Sequence, residues 1–422
     1  MALDPEEFKR RRAEREQQRQ NKQRGMIVRL VIAGIVLVLC AVLIIALASA
    51  GNSTDSTQPP QTDTLTEQTQ DGTSQTEVPL ETVIHLAAAG DLNINEAVVN
   101  AGGTEYDYTN TFLDVAHLLA QADVTALNLE GNLCGPPYGT DRSAPQTMAQ
   151  ALSDAGVDLI QLANSYSIYR GMDGLKNTIN GIRLAGMEPV GAYAEPSEAK
   201  AAKGYTIKTV QGIKIAFVAF TKGMDGMALP VGNEGCVNVL YTDYSTDYQK
   251  IDTEGITKIL DAAAKEKPDL TVALLHWGSE FNNTISTSQE DICRLLQEKG
   301  VDAIIGTHSH YVQKMEYDAQ SGSFVAYSLG DFLGDAQRAG SEYSVILDLE
   351  ITKNNESGDT RITGYSYTPI FTMAEEGRPL KVLRIQEAMK AFEEGYIDRV
   401  SQESYDAMKY ALERIEARVK GK

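Results

Sequence analysis

Between residues 84 and 329, short apolar runs of strand length alternate with longer stretches of helical pattern, which limits the chain to an α/β architecture with mainly parallel strands. The runs are 84–89, 124–129, 157–163, 214–220, 270–275, 301–305 and 323–329. Helical segments 147–155, 173–185, 254–266 and 287–299 lie between several of them, each closing near a Gly or Pro. Strands this continuously apolar predict a sheet buried on both faces. After residue 340 the pattern alternates instead, in 343–349 and 363–367, and predicts antiparallel strands on a second sheet. Residues 384–420 read as a helical tail of mixed charge.

Polar residues that end the strands of a parallel sheet gather at one edge, where α/β proteins place their chemistry. Here Gly90-Asp91 ends the first run, Asn128 and Glu130 the second, and Asn164 follows the third. His276 follows the fifth, His308 and His310 the sixth, and Gly330-Asp331 the last. The chain has 5 histidines, and three of them fall at these ends. Asp91, Glu130, His276, His308 and His310 together mix oxygen and imidazole donors, a set suited to Zn, Mn or Fe. A strand-end Asp such as Asp91 or Asp331 also commonly caps a turn by bonding nearby amides, and Asp331 reads that way. Two histidines two residues apart after a glycine are harder to explain structurally, and their pairing favours ligation. Trp277 and Glu280 read as packing and support for the ligands. His85, inside a strand, and His117, in a helical stretch, read as structural.

Upstream, residues 1–29 hold nine Lys/Arg against five acids, so this leader carries +4 while the rest of the chain carries −24 of the formal −20. The segment 26–50 is almost wholly apolar, and about 20 such residues suffice to cross the hydrocarbon core. Positive flanks are retained inside, which predicts a cytoplasmic N-terminus and an extracellular main domain on a single-pass cell-membrane protein. The alternative is a signal peptide cleaved near Ala48-Ser49-Ala50, but the apolar run exceeds the 7–15 residues usual for such segments. Residues 51–81, rich in Ser, Thr and Gln, lack apolar side chains to bury and read as a disordered linker. Of 4 cysteines, Cys40 falls in the apolar segment, and the odd number remaining argues against a disulfide framework.

The motifs Gly90-Asp91, Asn128-Leu129-Glu130-Gly131, Asn164 with Gly171 and Gly174-Leu175, His276 to Glu280, Gly306 to His310 and Tyr327 to Phe332 stand in the order and approximate spacing of the bacterial capsule-synthesis protein CapA family. The chain resembles that family over about residues 82–375. The resemblance implies a role in poly-γ-glutamate capsule production and a metallophosphatase-like fold, a two-sheet sandwich flanked by helices. With the segments read from the residues, the order is 1–25 leader, 26–50 transmembrane helix, 51–81 linker, 82–375 CapA-like domain and 376–422 helical tail. It also implies that Asp91, Glu130, His276, His308 and His310 occupy metal-ligand positions. One motif departs: where the family usually has Asn-Asn-His followed two residues later by Leu-Asp, this chain reads Asn164-Ser165-Tyr166-Ser167-Ile168-Tyr169. Ser165 then replaces a ligand amide, Tyr166 the catalytic histidine and Tyr169 a carboxylate, and Asp331 stands where Asn is usual.

Histidine titrates near pH 6.5 and exchanges protons at neutrality, whereas tyrosine, near 10, does not. A neutral serine hydroxyl is a weak ligand. The expectation is therefore one divalent ion at most (Mn, Fe or Zn) in a partly degenerate site. The first functional reading is an external capsule-assembly protein that meets an anionic polymer and other capsule-synthesis proteins, with no nucleic-acid partner. The alternative is an active metal-dependent hydrolase of phosphoester or polymer amide bonds. A domain this acidic repels polyanions through its long-range field, so polymer binding needs a local basic patch or bridging cations. No such patch is legible in the linear sequence.

Overall fold

A computed structural model describes residues 79–421 except 335, 337 and 397–399. The leader, the apolar segment 26–50 and residues 51–78 of the linker lie outside the described residues. No helix among those described is long and apolar enough to cross a membrane.

Two mixed sheets form the framework. The first has eight strands: β1 (Glu81–Asn93), β2 (Val124–Glu130), β3 (Leu159–Gln161), β4 (Glu188–Val190), β11 (Asp331–Leu333), β12 (Tyr343–Asn354), β13 (Thr360–Met373) and β14 (Lys381–Arg384). The second has six: β5 (Tyr205–Val210), β6 (Ile213–Thr221), β7 (Leu270–His276), β8 (Ala303–Thr307), β9 (Met315–Asp318) and β10 (Ser323–Ala326). The first runs β14-β13-β12-β1-β2-β3-β4, with β11 added beside β1, and the second β5-β6-β7-β8-β10-β9. Strand β13 touches β10, β1 touches β8, and β4 touches β6, so the sheets lie face to face in matching order. Nine helices are described: α1 (Glu96–Asn100), α2 (Thr109–Gln121), α3 (Thr147–Ala155), α4 (Gly171–Leu184), α5 (Pro196–Ala202), α6 (Thr253–Ala264), α7 (Thr287–Glu298), α8 (Ile385–Glu393) and α9 (Gln402–Val419).

The two-sheet arrangement flanked by helices agrees with the fold class that the resemblance implies, but the alternating strands after 340 do not make the second sheet. Instead β12 pairs antiparallel with β1 from Glu81↔Asn354 to Ala88↔Leu347, and β13 and β14 extend that same sheet. Alternation reports that one face of a strand is wetter than the other; it does not say which sheet the strand joins. The second sheet is built from the middle of the chain, where β6, β7, β8 and β10 run parallel. Strands β4, β5 and β9 were not legible because they are short or only half-buried.

Period-two alternation along β7 sets the site. Ala273, Leu275 and Trp277 join Ile256 and Leu260 of α6 and Ile292 and Leu296 of α7 in one buried cluster. Val272, Leu274 and His276 consequently project from the opposite face. Ser286 and Gln289 form a reciprocal capping box at the start of α7, and a Cβ on Gly278 (φ 81) would lie 3.0 Å from the Gln289 amide. The chain leaving His276 is thereby held against the helix that covers the sheet.

Candidate metal centre

Five sequence-predicted ligands come together between the C-terminal ends of the strands of both sheets, not along one. Asp91 lies near the C-terminal end of β1 and Glu130 ends β2, while His276 closes β7 and His308 and His310 follow β8. All five are buried. Backbone contact brings β1 and β11 together: the Asp91 amide donates to the Gly330 carbonyl at 3.1 Å, and a Cβ on Gly90 would lie 1.7 Å from that oxygen. Gly306 is equally confined, since its Cβ would meet the Tyr327 carbonyl oxygen at 2.0 Å and Trp277 Nε1 at 2.4 Å. Only glycine permits such approach. His308 (φ 87) and His310 (φ 60) hold left-handed backbone, a strained state for side chains with a Cβ that tends to concentrate at functional sites.

The carboxylates and imidazoles interlock. Asp91 Oδ2 accepts from the His308 amide at 2.8 Å, and its Oδ1 accepts from Asn128 Nδ2. Asn164 donates through Nδ2 to Asn128 Oδ1 at 3.0 Å and to the Leu129 carbonyl at 2.7 Å, so Asn128 and Asn164 brace the carboxylate frame. Glu130 Oε2 accepts from Asn93 Nδ2 at 3.1 Å. Its Oε1 lies 3.2 Å from His276 Nε2 yet is a buried oxygen without a hydrogen-bond partner. Such an oxygen is costly to bury unless something else satisfies it, so the donor set fits a cation.

Two groups have ligand atoms within 4.8 Å of one another: Glu130, His276 and His308, and Asp91, Glu130 and His310. Glu130 is common to both. A divalent ion held there would act as a Lewis acid and lower the pKa of a bound water. Burial works against a charged His276, but the neighbouring Glu130 and Asp91 carboxylates raise it to about 9. Burial keeps His308 well below the ordinary imidazole range, reinforced by the charges of His276, Lys222 and His310, so it is neutral before an ion binds, whereas His276 and His310 must each release a proton to ligate. His310 is opposed by burial but raised to about 10 by Asp331, whose Oδ1 lies 2.7 Å from His310 Nδ1.

The side-chain partner of Asp331 among the described residues is His310, and no turn amide among them bonds to it. Asp331 lies within β11 as the register partner of Asp91, and its carboxylate orients His310, as the far nitrogen of a ligating histidine generally requires. Trp277 packs: its ring stacks on Tyr327 at 5.9 Å, and its Nε1 donates to the Tyr327 carbonyl at 2.8 Å. Glu280 supports no ligand by a hydrogen bond; it is exposed, and its charge acts on Lys222 and Tyr166. His85 pairs with Asp348 at 2.9 Å and His117 with Gln121 at 2.8 Å, away from the centre.

The divergent segment enters the same space. Ser165 Oγ lies 2.9 Å from His276 Nε2 and 3.5 Å from His308 Nδ1, between the two imidazoles. Tyr166 sits edge-on to Tyr169 with ring centroids 5.5 Å apart, and burial with the Glu130 charge raises its hydroxyl to about 12. It holds its proton throughout the neutral range. Thr307, whose Oγ1 lies 3.1 Å from His276 Nδ1, was missed by sequence reasoning, as was Lys222, which donates to the Gly278 carbonyl at 2.8 Å. Lys222 had a signal: it stands just beyond the fourth apolar run, at a strand end that the list of polar termini passed over.

The family described as bacterial capsule synthesis protein PGA_cap matches residues 85–336. The chain is 26% identical over 265 residues to the capsule biosynthesis protein CapA of Bacillus anthracis, covering 61% of this chain and 60% of that protein. It is 27% identical over 206 residues to the PGA biosynthesis protein CapA of Bacillus subtilis, covering 49% and 50%. The matches thus span less than two thirds of either relative's own length. Among solved structures, the calcineurin-like phosphoesterase YfkN from Bacillus subtilis is similar at a TM-score of 0.44 and 16% identity, covering 79% of this chain and 99% of that one. With the family's pattern matched across the whole span from β1 to β11, the chain belongs to the bacterial capsule synthesis protein PGA_cap family.

Proposed function

We propose that this protein is a membrane-anchored, extracytoplasmic accessory of poly-γ-glutamate capsule synthesis or export, built around a partly degenerate metal centre that holds one divalent ion. Family membership supports the capsule role. The position of Ser165 carries the degeneracy: a short hydroxyl stands between His276 and His308 where the family usually offers an amide, beside a tyrosine in place of the proton-exchanging histidine. The buried Glu130, shared by both groups of converging ligand atoms, favours retained metal over an empty relic. Mn, Fe and Zn all suit the donors.

Elemental analysis of the purified full-length chain at neutral pH is expected to find one transition metal ion, and His308→Ala or His310→Ala to reduce occupancy at least tenfold. A native chain with no metal overturns the retained centre. Anchoring through residues 26–50 predicts that protease added to intact cells digests the main domain but spares an N-terminal epitope. An epitope lost together with the domain, or a domain fully protected, removes that topology.

A further inference from the structure

A protein of net charge −20 that handles a polyanion needs positive charge where the polymer lies, and three basic side chains stand around the histidine cluster. Arg142 holds its guanidinium 4.3 Å over the ring of Tyr166, the residue next to Ser165. Its Nη1 donates at 2.7 Å to Asn93 Oδ1, and Asn93 in turn bonds Glu130. Its backbone is left-handed (φ 52), so the side chain is aimed at some conformational cost. Lys222 lies 4.8 Å over the Tyr248 ring, and its charge reaches His308. Arg338 lies 3.9 Å over Phe281, whose ring stacks on His310 at 4.8 Å. Arg142 and Arg338 are thus one residue removed from a residue of the centre, Lys222 bonds the His276 carbonyl through its own amide at 2.8 Å, and each cation rests on an aromatic face that fixes it without neutralising it. Three acids act on the same neighbourhood: Glu130 lies buried in the centre, and Glu280 and Asp225 are exposed.

We propose that Arg142, Lys222 and Arg338 form a cationic rim that seats carboxylates of a γ-linked glutamate chain over the histidine cluster. This rests on the capsule-polymer reading above. It also answers the repulsion expected from the acidic surface: at physiological ionic strength, charges beyond roughly 8 Å are largely screened, so cations beside the polymer outweigh acids elsewhere on the domain. The shared chemistry is a repeating oxyanion, which Arg and Lys recognise through charge-assisted hydrogen bonds.

Titration of the full-length protein with a short γ-linked glutamate oligomer, a matched glutamine oligomer and inorganic phosphate tests the rim. The glutamate oligomer is expected to bind, to weaken as salt rises, and to lose about tenfold in affinity for each of Lys222→Gln and Arg338→Gln, compared at matched metal occupancy. The neutral oligomer is expected not to bind. Glutamate binding that is intact in the double variant overturns the rim and leaves the polymer reading standing. Phosphate binding that depends on the rim, with no glutamate binding, overturns the carboxylate assignment. Failure of the native chain to bind any of the three overturns the rim and the polymer reading together.

Discussion

Ser165→Asn, Tyr166→His and Tyr169→Asp introduced together are expected to raise hydrolysis of a generic phosphodiester by about 10²–10⁴-fold in the presence of divalent metal, the range a well-placed general acid supplies. The expectation follows from position. Ser165 already lies 2.9 Å from His276 Nε2, so a longer amide at this point reaches the space between the imidazoles. Tyr166 keeps its proton because burial and Glu130 push its hydroxyl to about 12, whereas an imidazole there can release one near neutrality. Tyr169 is 39% exposed at the mouth and can be replaced without opening a core cavity. Metal occupancy is expected to rise in parallel, read by elemental analysis independently of turnover. If neither occupancy nor rate changes, these three positions were not what limits the centre.

Trp277→Ala is expected to destabilise the protein by about 3–5 kcal/mol, as deletion of a fully buried large aromatic typically does. The side chain is wholly buried, stacks on Tyr327 and donates to its carbonyl, and it packs in the cluster that joins the second sheet to α6 and α7. In thermal unfolding the midpoint should fall on the order of 5–10 °C. Trp277→Phe separates the terms: it keeps most of the volume but leaves the Tyr327 carbonyl without its donor, for a loss of roughly 1–3 kcal/mol. A Trp277→Ala chain with native stability would mean that the cluster repacks around the void. Because Trp277 follows His276 directly, metal occupancy should also drop in the alanine variant.

The strands that carry ligands were legible because they are buried on both faces and spell out apolar runs, and each ligand stands where such a run stops. The second sheet's membership was not, since which strands pair depends on contacts between residues far apart in sequence, as in β1 with β12. His276, His308 and His310 announced themselves through scarcity and spacing. Asp331 was harder: a lone Asp after a glycine looks like a turn former until β11 is seen beside β1, with His310 Nδ1 at 2.7 Å. Arg142, Lys222 and Arg338 had no linear signature as a group, because they come from three separate loops that only the fold brings to the histidine cluster.

The contact between Gly90 and the Gly330 carbonyl has a further meaning for descent. It fixes the spacing of Asp91 and Asp331 by main chain against main chain, so changes of side chain elsewhere cannot alter it. The segment 164–169, by contrast, meets the centre through side chains. Lineages can exchange those groups singly, losing or regaining proton transfer, while the cradle that positions the remaining donors keeps its dimensions.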